Sequence, residues 1–218
     1  MLPLRLLLPW ALALILLIAA GYGAYAVLFA TPAESTSGLP GNGGFTQVPL
    51  GSPQQYTRDT GDWKFTMTAR NAYTLAGKVV GRHEYPASLP DGIIALDLAV
   101  VNGDLLRKDI LPYFRFTMGD RTLEYTYDVP AYTGLTEEYI DEHISNNHLV
   151  FLDPDLERKV KAAKTGDCLI IKGKLVDISG SSRGSGYNVR TSTVRNDTYP
   201  AGCEIILVEE YTPFSCGD

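Results

Sequence analysis

Trp63, Phe65, Met67 and Ala69 alternate with Lys64, Thr66, Thr68 and Arg70, a period of two that predicts a half-buried strand, and a second strand follows over 73–80. The run 93–101 is nearly all apolar, rich in β-branched residues and too short for a helix, which predicts a central strand interrupted by Asp97. Phe114, Phe116 and Met118 alternate, Gly119-Asp120 supplies a turn, and Leu123, Tyr125 and Tyr127 alternate again, the pattern of a hairpin.

Two helices are marked by their starts. Thr136 precedes Glu137 and Glu138, with Ile140 and Ile144 four apart on one face; Asp153-Pro154-Asp155 opens a second helix showing Leu156, Val160 and Ala163 to a core. Thr165-Gly166-Asp167 ends it. Leu169, Ile171, Gly173 and Leu175 then mark a strand to Ile178, a Ser/Gly loop leads to a strand over 187–194, and a loop over 196–202 leads to a last strand in which Cys203, Ile205 and Leu207 share a face. The expected fold is mainly β with two short helices, of the α+β class. Its last third is a helix and a three-stranded meander, and the whole is a small antiparallel barrel or sandwich, an OB-like barrel being one such form.

A different pattern precedes this domain. From Leu6 to Ala30 no residue is ionisable, and at 1.5 Å per residue the run is long enough for a hydrocarbon core of roughly 30 Å. Trp10 and the pair Tyr22 and Tyr25 mark its ends. Ala24-Tyr25-Ala26 also fits a signal-peptidase site, but apolar residues continue through Val27, Leu28 and Phe29, so 1–30 is read as a transmembrane anchor, with a cleaved signal as the alternative. Arg5 precedes the span and the next basic residue is Arg58, which places the remainder outside the cytoplasm, beyond a cytoplasmic membrane crossed once. Ala19 with Gly23, and Ala20 with Ala24, have the small-residue spacing that lets a second helix approach. Residues 31–55, dominated by Gly, Pro, Ser and Thr, are expected to be a flexible linker, and 56–218 the extracytoplasmic domain.

Charge narrows the partners. The chain carries 19 Lys and Arg against 25 Asp and Glu, so nucleic acid is not expected. Asp97 is the most unusual residue, because a carboxylate in an apolar strand must be paired, hydrogen-bonded or protonated; alternation places Ala95 and Ala99 on its own face, small neighbours that leave room for a partner. His143 and His148 lie five apart between amides, without a third ligand, so no metal is expected; Asn146 or Asn147 serves instead as a helix cap. Arg190, Ser192, Arg195 and Asp197 form the densest polar group, with Arg190 and Ser192 on one strand face and Arg195 and Asp197 bracketing a turn, an arrangement that a salt-bridged hairpin end explains. Ser192 lacks a nucleophile-elbow context, and no motif calls for a cofactor. Of the three cysteines, Cys203–Cys216 and Cys168–Cys203 are the candidate disulfides, with buried reduced thiols as the alternative.

The motifs Asn147-His148-Leu149, Gly166-Asp167, Gly173-x-Leu175-Val176-Asp177, Ser192-x-x-Arg195-x-Asp197-Thr198 and Cys203-Glu204, with Asp97-Leu98-Ala99 before them, resemble those of a family of uncharacterised bacterial proteins. The resemblance implies an N-terminal membrane segment or signal joined to one such domain, and no activity. Tyr199-Pro200 stands where the family pattern has a small residue or glycine after the Asp-Thr pair, so the geometry of that loop does not carry over.

The function expected is that of a membrane-anchored interaction module, an accessory subunit of a membrane or envelope complex whose partners are the bilayer and another protein. The alternative is an extracytoplasmic hydrolase or small-ligand domain in which Asp97, His148 and Arg190 with Arg195 converge on one pocket, or an oligosaccharide-binding barrel with Tyr187 in an exposed groove.

Overall fold

The computed structural model describes residues 44–86, 90–119, 121–194 and 203–216, all within one compact unit, Leu39–Asp218. Nine strands and two α-helices follow along these residues: β1 (Phe45–Asp59), β2 (Lys64–Glu84), β3 (Ile94–Val101), β4 (Phe114–Gly119), β5 (Thr122–Tyr127), α1 (Glu137–Glu142), β6 (Ile144–Val150), α2 (Pro154–Lys161), β7 (Cys168–Ser182), β8 (Ser185–Val189) and β9 (Cys203–Phe214). The fold is mainly β with two helices, as the hydrophobic pattern predicts. Both helices begin at the expected caps: the Thr136 side chain accepts from the Tyr139 amide, and the Asp153 side chain from Asp155, with Pro154 in the first turn.

Seven strands form one sheet in the order β1-β2-β3-β6-β9-β7-β8, and β4 and β5 form a separate hairpin. β2 is long and irregular between Ala69 and Asn71, and different stretches of it serve different neighbours. It pairs with β1 and β7 along its first two thirds and with β3 from Lys78 to Glu84. Since β3 pairs with β6, β6 with β9 in parallel, and β9 with β7, the pairings return to β2, the strand on which they began.

The central strands are buried on both faces, which is why β3 is apolar without alternation. One face supplies Leu96, Leu98, Val100, Leu149, Ile171, Leu175 and Ile206 to the main core, closed at one end by Val160 and Ala163. On the other face Ile94, Val150, Ile205 and Leu207 join Phe65 and Met67 of β2 and Val176 and Ile178 of β7. Further along that face, Val101 and Ile144 pack against Leu105, Ile110, Phe114 and Ile140 of the insertion between β3 and β6, which holds the hairpin and α1. The hairpin lies close: a Cβ on Gly81 would stand 2.7 Å from Met118 Sδ, so a larger residue there would have to displace the Met118 side chain.

Several expectations are corrected. β1 begins at Phe45, so its first eleven residues, 45–55, fall within the expected linker. Most of its side chains are exposed, and an edge strand held by backbone bonds to β2 shows little hydrophobic pattern; Pro49 and Pro53 fall at its register break, where a missing N–H costs little. The segment 144–148 is strand, not helix end: His143 is the cap of α1, and Asn146 and Asn147 lie inside β6. The last three strands are not a meander, because β9 pairs with β7 rather than with β8: opposite β2, one edge of β7 takes β9 along Cys168–Leu175 and β8 along Ile178–Ser182.

That order decides the disulfide. Cys168 opens β7 opposite Phe214 of β9, so the chain just past Phe214 brings Cys216 to it; the two are bonded, with Cα atoms 5.4 Å apart. Cys203 is a free thiol. Neither Cys168–Cys203 nor Cys203–Cys216 forms, because Cys203 is at the opposite end of β9, about 40 Å along an extended strand of that length. Among the described residues no helix is long and apolar enough to cross a membrane. The expected span over 1–30, with Ala19, Ala20, Gly23 and Ala24, lies outside them, as do Arg195 and Asp197.

Candidate functional site

Asp97 is fully buried at the middle of β3. Register places it directly opposite His83 of β2 and His148 of β6, and His148 in turn opposite Ile205 of β9, so a row of residues crosses the sheet on one face. Ala99 shares that face. Ala95 does not, because the irregularity between Ile94 and Leu96 turns it into the main core.

Three donors converge on the Asp97 carboxylate. Oδ1 accepts from His148 Nδ1 at 2.7 Å and from Arg121 Nη1 at 3.0 Å, and Oδ2 accepts from the Tyr85 hydroxyl at 2.9 Å. Arg121 belongs to the two-residue turn between β4 and β5, where its φ of 65° is one that an L side chain adopts at a cost of roughly 1–2 kcal/mol. Its surroundings hold it there: its amide donates to the Tyr85 hydroxyl at 2.9 Å, Nη2 donates to the Ile94 carbonyl at 3.0 Å, its carbonyl accepts from Asn146 Nδ2 at 3.1 Å, and its guanidinium carbon lies 3.3 Å from the centre of the Tyr85 ring. The cluster therefore ties the tip of the hairpin to β2, β3 and β6 together.

The electrostatics follow from burial. Desolvation, reinforced by the neighbouring carboxylate, pushes the Tyr85 hydroxyl up to about 12, so it remains a donor. Burial by itself would favour neutral His148, but the hydrogen bond with Asp97 and the charge of that carboxylate, with a contribution from neighbouring Cys203, outweigh it and raise the imidazole to about 9. An imidazolium and a guanidinium thus share one buried carboxylate at neutral pH.

Cys203 completes the group. It is half-buried opposite Asn146, whose Nδ2 lies 3.7 Å from its Sγ. Sequence reasoning placed Asp97 and His148 in one site, and the structure brings them together. It missed Arg121 and Tyr85, and it read Cys203 only as a disulfide candidate. The signals available were a bulky cationic residue at a turn position that favours glycine or asparagine, and the shared parity of Cys203 and Ile205.

Arg190 is elsewhere. It is exposed and lines a cleft of about 200 Å³ with Arg70, Asp177, Thr191 and Thr193, so the expected convergence of Arg190 with Asp97 and His148 does not occur. Ser192 is buried beside β9, its amide donating to the Cys203 carbonyl at 2.9 Å. Tyr187 packs edge-on against Phe65, which stacks on Trp63, and so belongs to a core rather than a groove. His143 places Nδ1 2.7 Å from the Tyr139 carbonyl, and among the described residues no group of three or more His, Cys, Asp or Glu is placed to hold a metal ion. Comparison with family models, curated proteins and solved structures returns no match for this chain.

Proposed function

We propose that the chain is a single-pass, membrane-anchored extracytoplasmic interaction module, an accessory subunit of a membrane or envelope complex, whose domain is an OB-like barrel of β2, β3, β6, β9 and β7. The closed circuit of pairings, with one core drawn from all five strands, supports the barrel. In such barrels the second and third strands commonly offer the ligand face. Here those strands are β3 and β6, and their outward face is covered by the chain's own insertion at one end and by β2 and β7 at the other.

The observation that carries the reading is the saturation of Asp97. Both its oxygens are occupied by Arg121, His148 and Tyr85, which makes the carboxylate the anchor of the hairpin rather than an open ligand. On the exposed side of the same insertion, Tyr113, Tyr127 and Tyr132 are 38%, 39% and 78% exposed, with Asp109, Asp128 and Glu137 near enough to act on their hydroxyls. Exposed tyrosines with a polar rim suit a protein partner of complementary basic charge.

The test is purification of the tagged full chain from native membranes in mild detergent, alongside a variant carrying Tyr132→Ala and Tyr127→Ala. A partner retained in stoichiometric amount by the parent and lost from the variant is the expected result. A parent that purifies alone contradicts the proposal.

A further inference from the structure

The cleft that holds Arg190 forms where one face of the sheet passes from apolar to polar residues. Thr68 of β2 pairs with Asp177 of β7, and Asn71 with Leu175, so these four side chains share a face. Leu175 belongs to the main core and gives the cleft its apolar lining, while Thr68, Asn71 and Asp177 are half-buried. Between the two pairs β2 carries one extra residue. Ala69 pairs with Val176 and Asn71 with Leu175, which leaves Arg70 without a partner on β7, and a bulge of this kind turns a side chain out of the regular alternation. Arg70 is exposed and lines the same cleft.

The rest of the lining comes from the segment 190–193, which follows β8 and is tied to three strands. The Thr191 amide donates to Asp177 Oδ1 at 3.2 Å, the Ser192 amide to the Cys203 carbonyl at 2.9 Å, and Gln47 Nε2 to the Thr193 carbonyl at 3.3 Å. β7, β9 and β1 therefore fix the backbone beside Arg190 before any ligand arrives, which lowers the cost of binding one. Neither Arg70 nor Arg190 forms a hydrogen bond or an ion pair with a described residue, in a chain whose 25 acidic side chains outnumber its 19 Lys and Arg. Two guanidiniums on one cleft have thus been left unpaired where carboxylates are in excess.

A guanidinium presents a planar fork of donors that fits a carboxylate or a phosphate, so the pair calls for an oxyanion. The other groups suit hydroxyls: Thr68 and Asn71 can each donate and accept, and Asp177 keeps Oδ2 as an acceptor. One carboxylate against two guanidiniums leaves the lining with a net positive charge. The space is about 200 Å³, below the roughly 300–1,000 Å³ of drug-sized sites, which limits the occupant to a small molecule. We propose that this cleft binds an acidic monosaccharide, a sugar bearing one carboxylate or phosphate, with Arg70 and Arg190 on the acid group and Asp177, Thr68 and Asn71 on the hydroxyls. The site shares no residue with the Asp97 cluster or the exposed tyrosines, so it is independent of the protein-partner reading.

The test is calorimetric titration of the full chain in detergent, in phosphate-free buffer near neutral pH, with glucuronate, glucose-6-phosphate, glucose and inorganic phosphate as the probes. At least one of the two sugar acids is expected to bind with a Kd below about 1 mM, and glucose and inorganic phosphate each at least about tenfold more weakly. The tighter of the two acids tells a carboxylate ligand from a phosphate one. Arg70→Gln and Arg190→Gln are each expected to weaken that binding about tenfold and to leave the urea midpoint of the chain unchanged, because both side chains are exposed. Absence of saturable binding by either acid overturns the proposal. So does glucose binding as tightly as the acids, inorganic phosphate binding as tightly as glucose-6-phosphate, or full affinity in the double variant.

Discussion

His148 donates through Nδ1 to Asp97 Oδ1 over 2.7 Å, from the position directly opposite on the neighbouring strand. The contact has a pH signature. The folded-state value of about 9 lies above the ordinary 6.5, so the native state holds this proton more tightly than the unfolded chain. The stabilisation is complete below about pH 6.5 and is lost as pH rises through about 9, amounting to roughly 3 kcal/mol. Urea unfolding at about pH 6 and about pH 9.5 is expected to show this loss in the parent and not in His148→Gln. Equal parental stability at both pH values would count against an imidazolium at this position.

Tyr85 accepts the Arg121 amide and donates to Asp97 through one hydroxyl. Tyr85→Phe removes both bonds and leaves two buried groups short of a partner, and is expected to cost about 1–3 kcal/mol in urea unfolding while keeping the ring under the guanidinium. A change below about 0.5 kcal/mol would show that water or a neighbour replaces the hydroxyl.

The Cys168–Cys216 bond closes a loop of 48 residues in sequence. Cys168→Ser is expected to lower stability by about 2–4 kcal/mol through the freed unfolded chain. Peptide mapping under non-reducing conditions is expected to recover the Cys168–Cys216 pair, with alkylation confined to Cys203.

The N-terminal reading has its own check. A transmembrane anchor keeps the full-length chain in the membrane fraction after alkaline carbonate washing, and deletion of residues 1–30 releases it. A mature chain beginning at Val27 would establish cleavage instead.

Much of this architecture was legible in the hydrophobic pattern, and the reasons for the remainder are local. The hairpin, both helix starts and the strands at 93–101 and from Leu169 show strong periodicity or capping chemistry, and all are present. β1 was concealed because an edge strand with exposed side chains has the composition of a linker. β6 was concealed because Ser145, Asn146, Asn147 and His148 are buried polar residues, which carry no apolar period, and because Ile144 happens to fall four residues after Ile140. The disulfide followed the strand order, which no local pattern encodes.

For the site, Asp97 was conspicuous as a charge in an apolar run and His148 as one of three histidines. Their meeting depends on the β3–β6 register, and Arg121 arrives through the hairpin tip, 24 residues away in sequence. Arg190 was grouped with them on polarity alone, and the structure assigns it to a separate cleft.

Asp97 accepts hydrogen bonds on both oxygens and acts as a structural anchor rather than an open ligand site. Urea titration of Asp97→Asn against the parent near neutral pH tests it most directly. Removing one partner from a buried ion pair leaves Arg121 and His148 without their shared counter-charge, and a loss of about 3–5 kcal/mol is expected, with the hairpin loosened from β3. A variant within about 0.5 kcal/mol of the parent would contradict the anchor and return Asp97 to the role of a free carboxylate.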